Sequence, residues 1–346
     1  MAVYTHLGAE DLAAIVTHYD VGELVSAKGI AEGVSNSNWL IETTGSAAQR
    51  VPGPDIDANR AGNRFILTMY EKRIDLADLP FFLGLLDHLS AKDLPVPRTI
   101  HDRDGAASRM VNGKAVALIE YLPGLSVDQP TPAQARAVGV ELARLHIASR
   151  DYGETRTNDL KPADWRALFD SCGTDNLRKI DPALTGLVRM KLPELRAKWP
   201  KDLPRSIIHA DLFCDNVLMR GDQVAGMIDF YFACNDMVAY DFAVTHAAWC
   251  FTPDGQTFDP EVSAALRGGY ESIRPFSAEE RAALPVLAQG ACMRFIATRA
   301  YDWLHGEEGA MVKRKDPMDF ARRLQFYAQK GAKLFSADVP TGTLVT

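Results

Sequence analysis

Apolar residues near the start of the chain recur at helical spacing. Leu12, Ile15 and Val16 share one face and Glu10 and Asp11 stand in the first turn, which predicts a short amphipathic helix over 8–19. The period then changes. "ELVSAKGIAEGVSNSNWLIETTG" reads as two short strands around a loop of Gly, Ser and Asn, and "NRFILTMYEKR" as a third strand rich in β-formers. Between them, 46–62 is polar and turn-rich with two prolines bracketing a glycine, the pattern of a long surface excursion. Helical spacing returns at Phe82, Leu85, Leu86 and Leu89, and the Pro95 and Pro97 region is expected to end that helix. From Arg98 to Leu122, short apolar runs broken by "RDG" and "NGK" predict at least two more strands.

Beyond Leu122 the helical period dominates, and the lobe boundary is placed there, giving an N-terminal lobe of 1–122 and a C-terminal lobe of 123–346. Thr131 is the expected N-cap of the next helix, with Pro132 at its first position and Val138, Leu142 and Leu145 on one face. Helices are also expected over 262–270, 278–304 and 318–334. No repeat of fixed period is present. The resulting picture is α+β: a small sheet lobe with a helix, followed by a larger, mainly helical lobe.

Composition narrows the function. With 346 residues, 47% of them apolar, the chain can bury a large core, and two lobes suit this size better than one. A net charge of -7 argues against a nucleic-acid partner and leaves room for a local anion site. The five cysteines form no C-x-x-C pair, which fits a reducing compartment. No window reaches the length of a membrane span and the start is acidic, so a soluble cytoplasmic protein is expected.

The densest chemistry lies in "SIIHADLFCDNVLMRGDQVAGMIDF", Ser206 to Phe230. Apolar β-type runs flank "HADLFCD", and a turn leads into a second run ending at Asp229, so Asp211, Asn216 and Asp229 can converge at the rigid ends of a loop and hairpin. Two carboxylates and an amide are hard oxygen donors, suited to magnesium and poorly to zinc. So sparse a magnesium site completes its shell with water and phosphate oxygens, which points to phosphoryl transfer. One carboxylate must then stay free to orient the attacking hydroxyl, and Asp211 is assigned that role. His209 is read as a support of the loop and Asp215 as a turn residue.

"HADLFCDNVL" followed by "IDF" resembles the motif of the aminoglycoside phosphotransferase and choline kinase-like superfamily, relatives of the protein kinases. The resemblance implies a protein kinase-like bilobal fold, ATP and Mg2+ as cofactors, Asp211 as base, and Asn216 and Asp229 as metal ligands. It further implies a nucleotide-covering loop at "AEGVSNSNW", with the backbone of Gly33, Ser35, Asn36 and Asn38 near the phosphates, and a hinge at "IEYLPG", where Glu120 and Leu122 would meet the adenine edge. The family's usual Lys or Arg on the third strand is replaced by Thr68, and Lys72 is the candidate substitute. An acidic partner on the following helix is expected at Asp87.

Thr at that strand position, with "GVSNSNWLIET", "LPFFLGLLDHL" and "IDFYFAC", is similar to the homoserine kinase branch of the superfamily. That likeness implies a small-molecule substrate, L-homoserine, as acceptor and so a cradle for a zwitterion. Arg294 or Arg299 is expected to grip the carboxylate, Asp236 or Glu32 the ammonium, with Tyr231 and Trp249 as pocket walls and Asp241 as a buttress of the catalytic loop. The competing readings are a kinase of an aminoglycoside, choline or another small alcohol, and a nucleotide-binding scaffold without turnover.

Overall fold

The opening helix is shorter than its periodicity suggests. In the computed structural model, which describes residues 7–30, 36–45, 63–71, 75–305 and 314–336, α1 (Ala9–Val16) buries Leu12, Ile15 and Val16. Its first turn is closed by the Gly8 N–H donating to Asp11 Oδ2 at 2.9 Å. β1 (Leu24–Ile30), β2 (Asn36–Thr43) and β3 (Arg64–Tyr70) form an antiparallel meander.

α2 (Leu79–Ser90) follows and stops ahead of Pro95, earlier than expected. Asp93 takes a left-handed conformation with φ 58°, and the Leu94 N–H turns back to the Leu89 carbonyl. An αL turn therefore ends the helix before proline sterics act. β4 (Thr99–Ile100) and β5 (Arg109–Val111) then lie along the outer edge of β6 (Lys114–Glu120), completing a six-stranded antiparallel sheet.

Period-2 alternation splits the two faces of this sheet. Phe65, Leu67 and Met69 of β3 join the buried face of α1 in one core, whereas Ile66 and Tyr70 turn toward α2 and a second core continuous with the helical lobe. Thr68 is buried on this second face, paired with Asn38 of β2 and Ala117 of β6.

α3 (Pro132–Ala148) begins at the expected cap. Thr131 Oγ1 accepts from the Gln134 N–H and Gln134 Oε1 accepts from the Thr131 N–H, a reciprocal capping box. α4 (Pro162–Cys172), α5 (Thr174–Ile180) and α6 (Leu184–Lys198) lead to β7 (Arg205–Ile208), and β8 (Val217–Arg220) pairs with β9 (Gln223–Met227). β10 (Cys234–Met237) returns antiparallel to β7 and runs into α7 (Val238–Trp249), every residue of which is buried. α8 (Pro260–Ile273), α9 (Ala278–His305) and α10 (Met318–Leu334) complete the lobe.

Two glycines set the closest helix crossing. A Cβ on Gly139 of α3 would lie 2.2 Å from the Leu266 carbonyl oxygen of α8, and one on Gly269 would lie 2.1 Å from that of Arg136. The backbones of α3 and α8 thus touch, which brings Tyr270 within hydrogen-bond reach of His146.

Among the described residues, no helix is long and apolar enough to cross a membrane. All five cysteines are free thiols.

Candidate active site

The loop that follows β7 is held from behind by one buried carboxylate. Asp241 of α7 accepts from the Ala210 N–H at 2.7 Å, from the His209 N–H at 2.8 Å and from His146 Nε2 at 3.0 Å. Burial, the largest single influence, would raise the Asp241 carboxyl, but the hydrogen bond from His146 together with the nearby His209 and its N–H outweighs it and holds the group below its usual value. Burial pushes His146 down, so the pair is a carboxylate facing a neutral imidazole, whose Nδ1 accepts from the Tyr270 hydroxyl at 2.8 Å.

This clamp keeps Ala210 at φ 63°, a left-handed conformation that costs a non-glycine residue about 1 kcal/mol and persists where surrounding bonds over-determine it. His209 adds a second strut. Its Nε2 donates to the Ile228 carbonyl at 3.0 Å, its Nδ1 accepts from the Asp211 N–H at 3.3 Å, and its ring packs on Phe230. The Trp249 indole donates to the Leu212 carbonyl at 3.0 Å from a buried position, so it braces the loop and walls no pocket.

Asp211 emerges at the front of this loop. Burial pushes its carboxyl up, opposed by the Arg294 guanidinium, whose Nη2 lies 3.5 Å from Oδ1. Asn216 Nδ2 donates to the Asp211 carbonyl at 2.7 Å, which leaves its Oδ1 as the ligand-type atom. The backbone of Ile228 is tied to the Asn216 carbonyl, so the hairpin end carrying Asp229 is fixed to the loop. Asp229 is itself left-handed, φ 66°, and its carboxyl is pushed up to about 7, chiefly by burial and then by the negative charges of Asp211 and Asp215.

Asp211, Asp215 and Asp229 gather negative charge in one place, opposed in part by Arg294 and Lys315, and such a cluster can attract a cation. Among the described residues no group of three His, Cys, Asp or Glu is close enough to hold a metal. The Asn216 amide oxygen and the Asp229 carboxylate could together serve a hard ion that draws its remaining ligands from phosphates and water.

A cleft of about 580 Å3 opens beside Ala210. Its lining includes Tyr231, whose hydroxyl lies 3.0 Å from that of Tyr70, and Arg294, sandwiched near Phe232 and Phe295 and donating to the Ala210 carbonyl.

Several expected contacts are placed elsewhere. Arg299 does not reach the cleft: it donates to the Asp316 carbonyl and to Asp319 Oδ2, tying α9 to α10. Five residues are about 140° around an α-helix, so the two arginines diverge. Asp236 is buried between Asn158 Nδ2 at 2.7 Å and Arg205 Nη2 at 2.8 Å, and does not line the cleft. Asp87 accepts from the Thr99 N–H and pairs with His101, which occupies both of its oxygens. The Glu120 N–H is used by the Arg98 carbonyl and its carboxylate by the Arg98 side chain and N–H. Leu122 is buried and packs where a side chain on Gly226 would otherwise sit. Asn36 opens β2 with its side-chain oxygen buried and unpartnered, and Asn38 lies on the same strand. Gly33, Ser35, Glu32, Lys72 and the 46–62 excursion lie outside the described residues.

The model of the phosphotransferase enzyme family matches residues 26–276, which takes in most of the sheet lobe, the catalytic loop with its hairpin, and α7 and α8, and stops before Arg294. The chain belongs to that family. This phosphotransferase is 46% identical to a homoserine kinase of Methylobacterium radiotolerans over 329 residues, covering 95% of this chain and 97% of that one. It is 45% identical to a homoserine kinase of Rhizobium etli over 332 residues, 96% and 98% of the two chains. Among solved structures, it resembles a spectinomycin phosphotransferase with TM-score 0.70 and 12% identity, covering 95% of this chain and all of that one, and an amicoumacin kinase with TM-score 0.68 and 12% identity, covering 98% of each. At such identities the likeness is one of fold, the two-lobed kinase-like arrangement expected from the sequence.

Proposed function

We propose that this phosphotransferase is a homoserine kinase, moving the γ-phosphoryl group of ATP to the side-chain hydroxyl of L-homoserine to give O-phospho-L-homoserine for threonine synthesis in the cytoplasm. The observation that carries the reading is likeness to homoserine kinases along nearly the full length of both chains, loops and helical lobe included.

In this reading the acceptor lies in the cleft beside Ala210, and the Asp211 carboxylate receives a hydrogen bond from its hydroxyl and takes the proton as the oxygen attacks phosphorus. Burial favours that role, because a raised carboxyl is a stronger base than an exposed one. Asn216 and Asp229 would hold Mg2+, which when bound neutralises phosphate charge. The amides near Asn36 and Asn38 and the carbonyl of Glu120 are the proposed nucleotide contacts. Asp241, His146 and His209 perform no proton transfer here; they fix the loop so that Asp211 is already aimed when the acceptor arrives.

Asp211→Asn tests the assignment. ATP affinity should stay within about threefold while turnover falls on the order of 1,000-fold, the usual size of a lost general base. Near-normal turnover would remove Asp211 from that role. A coupled ADP-release assay over a panel of amino alcohols tests the acceptor, and silence with L-homoserine would reject it.

A further inference from the structure

The cleft is lined by an ion triad that spans the two lobes. Arg156, on the connection between α3 and α4, donates through Nε to Asp78 Oδ2 at 2.6 Å and through Nη2 to Asp159, while its guanidinium lies 5.2 Å over the Phe82 ring. Asp78 precedes α2 of the sheet lobe, and Asp159 shares the large-lobe connection with Arg156. All four residues line the cleft.

The other arginine of the cleft, Arg294, has its fork engaged by the Ala210 carbonyl and Asp211 and is only 3% exposed. Arg156 differs in one respect that matters. One of its two carboxylate partners, Asp159, is 66% exposed, and an ion pair so open to water contributes little. A substrate carboxylate can replace it at small cost.

We propose that Arg156, Asp159 and Asp78 form an exchangeable clamp for the α-amino acid end of the acceptor. The incoming carboxylate takes the place of Asp159 on Arg156, and the released Asp159 pairs with the α-ammonium, so Arg156 and Asp159 each exchange one partner for another while Asp78 stays in place. Phe82 holds the guanidinium plane and Asp78 keeps its Nε, while Nη1 reaches only the Ala233 carbonyl at a long 3.5 Å, so the Nη1 and Nη2 edge can turn to bidentate recognition once Asp159 leaves. Because Asp78 belongs to the other lobe, the same contact joins acceptor binding to the approach of the lobes. The clamp distinguishes a hydroxy amino acid from a plain amino alcohol or a hydroxy acid. It rests on the acceptor reading given above.

The test uses three acceptors with the full-length enzyme: L-homoserine, 3-aminopropan-1-ol, which lacks the carboxylate, and 4-hydroxybutyrate, which lacks the ammonium. Specificity constants are measured where turnover permits, and competitive inhibition constants otherwise. Arg156→Met should lower kcat/KM for L-homoserine on the order of 10- to 100-fold while altering that for 3-aminopropan-1-ol by less than about threefold. Asp159→Asn, at a position too exposed to threaten folding, should cost L-homoserine on the order of tenfold and leave 4-hydroxybutyrate unchanged or improved. Arg156→Lys, which keeps the charge and loses the fork, should fall between. Equal losses on the full and truncated acceptors, or no loss on L-homoserine, overturn the clamp alone. Wild-type silence on L-homoserine overturns both the clamp and the acceptor reading.

Discussion

Replacing Asp241 by Asn changes one oxygen to an NH2 group at the centre of the catalytic loop's support. The carboxylate accepts three hydrogen bonds, two on Oδ2 and one on Oδ1. An Asn can keep the two on Oδ2 by placing its own oxygen there, but its NH2 then faces the Ala210 N–H, donor against donor. The opposite rotamer keeps one bond and sets the NH2 against two donors. The better rotamer loses a charge-assisted bond and leaves a buried N–H unpaired, about 3 kcal/mol in stability.

The lost bond is also the one that holds Ala210 in its left-handed conformation, so the loop relaxes and Asp211 moves with it. A displacement near 1 Å costs on the order of 100-fold in turnover. Urea unfolding followed by tryptophan fluorescence measures the first effect, and steady-state kinetics with ATP and acceptor the second, with KM for ATP expected within about threefold. A stability loss below about 1 kcal/mol together with turnover within about threefold of wild type would refute the reasoning, since both follow from the same three bonds.

Acid should destabilise the protein through His246, which burial pushes down to about 3 from the ordinary 6.5. The folded imidazole stays neutral where the unfolded one takes a proton, so its stability contribution is full above pH 6.5 and is lost as pH falls toward 3. Between pH 7 and 5 this amounts to about 2 kcal/mol, and the difference in unfolding free energy between wild type and His246→Gln should shrink by that amount. Gly269→Ala should cost about 2–3 kcal/mol by calorimetry or denaturant unfolding, because its Cβ would meet the Arg136 carbonyl oxygen at 2.1 Å and neither helix backbone can retreat without separating α3 from α8. A neutral effect would mean that the crossing is looser than it stands.

Local chemistry is what could be read in the chain. Asp211, Asn216 and Asp229 lie within one loop and hairpin, so their convergence follows from a short span of backbone, and His209 was assignable as a support on the same ground, whereas Asp241 reaches the loop from α7. The strands of the sheet lobe and the cap at Thr131 were equally legible, through β-forming residues between turn signals and a Thr followed by Pro at the head of a helical run, to which the structure adds Gln134 closing the capping box. α6 was not read although Leu184, Val188, Leu192 and Leu195 keep a helical spacing, since Gly186 and the interior Pro193 argue against a helix locally. α7 was hidden for the opposite reason: it is buried on every side, so no polar face marks its period.

The cleft beside Ala210 was decided by tertiary structure. Asp78 and Arg156 stand far apart in the chain, on different lobes, and no spacing rule joins them, whereas Arg299 and Asp236, plausible by type, turn to other partners. Sequence by itself determined which groups could perform phosphoryl transfer, because that chemistry sits on contiguous backbone. Only the folded chain decided which charges line the cleft, because a pocket between lobes is built from contacts whose partners the packing of distant helices selects.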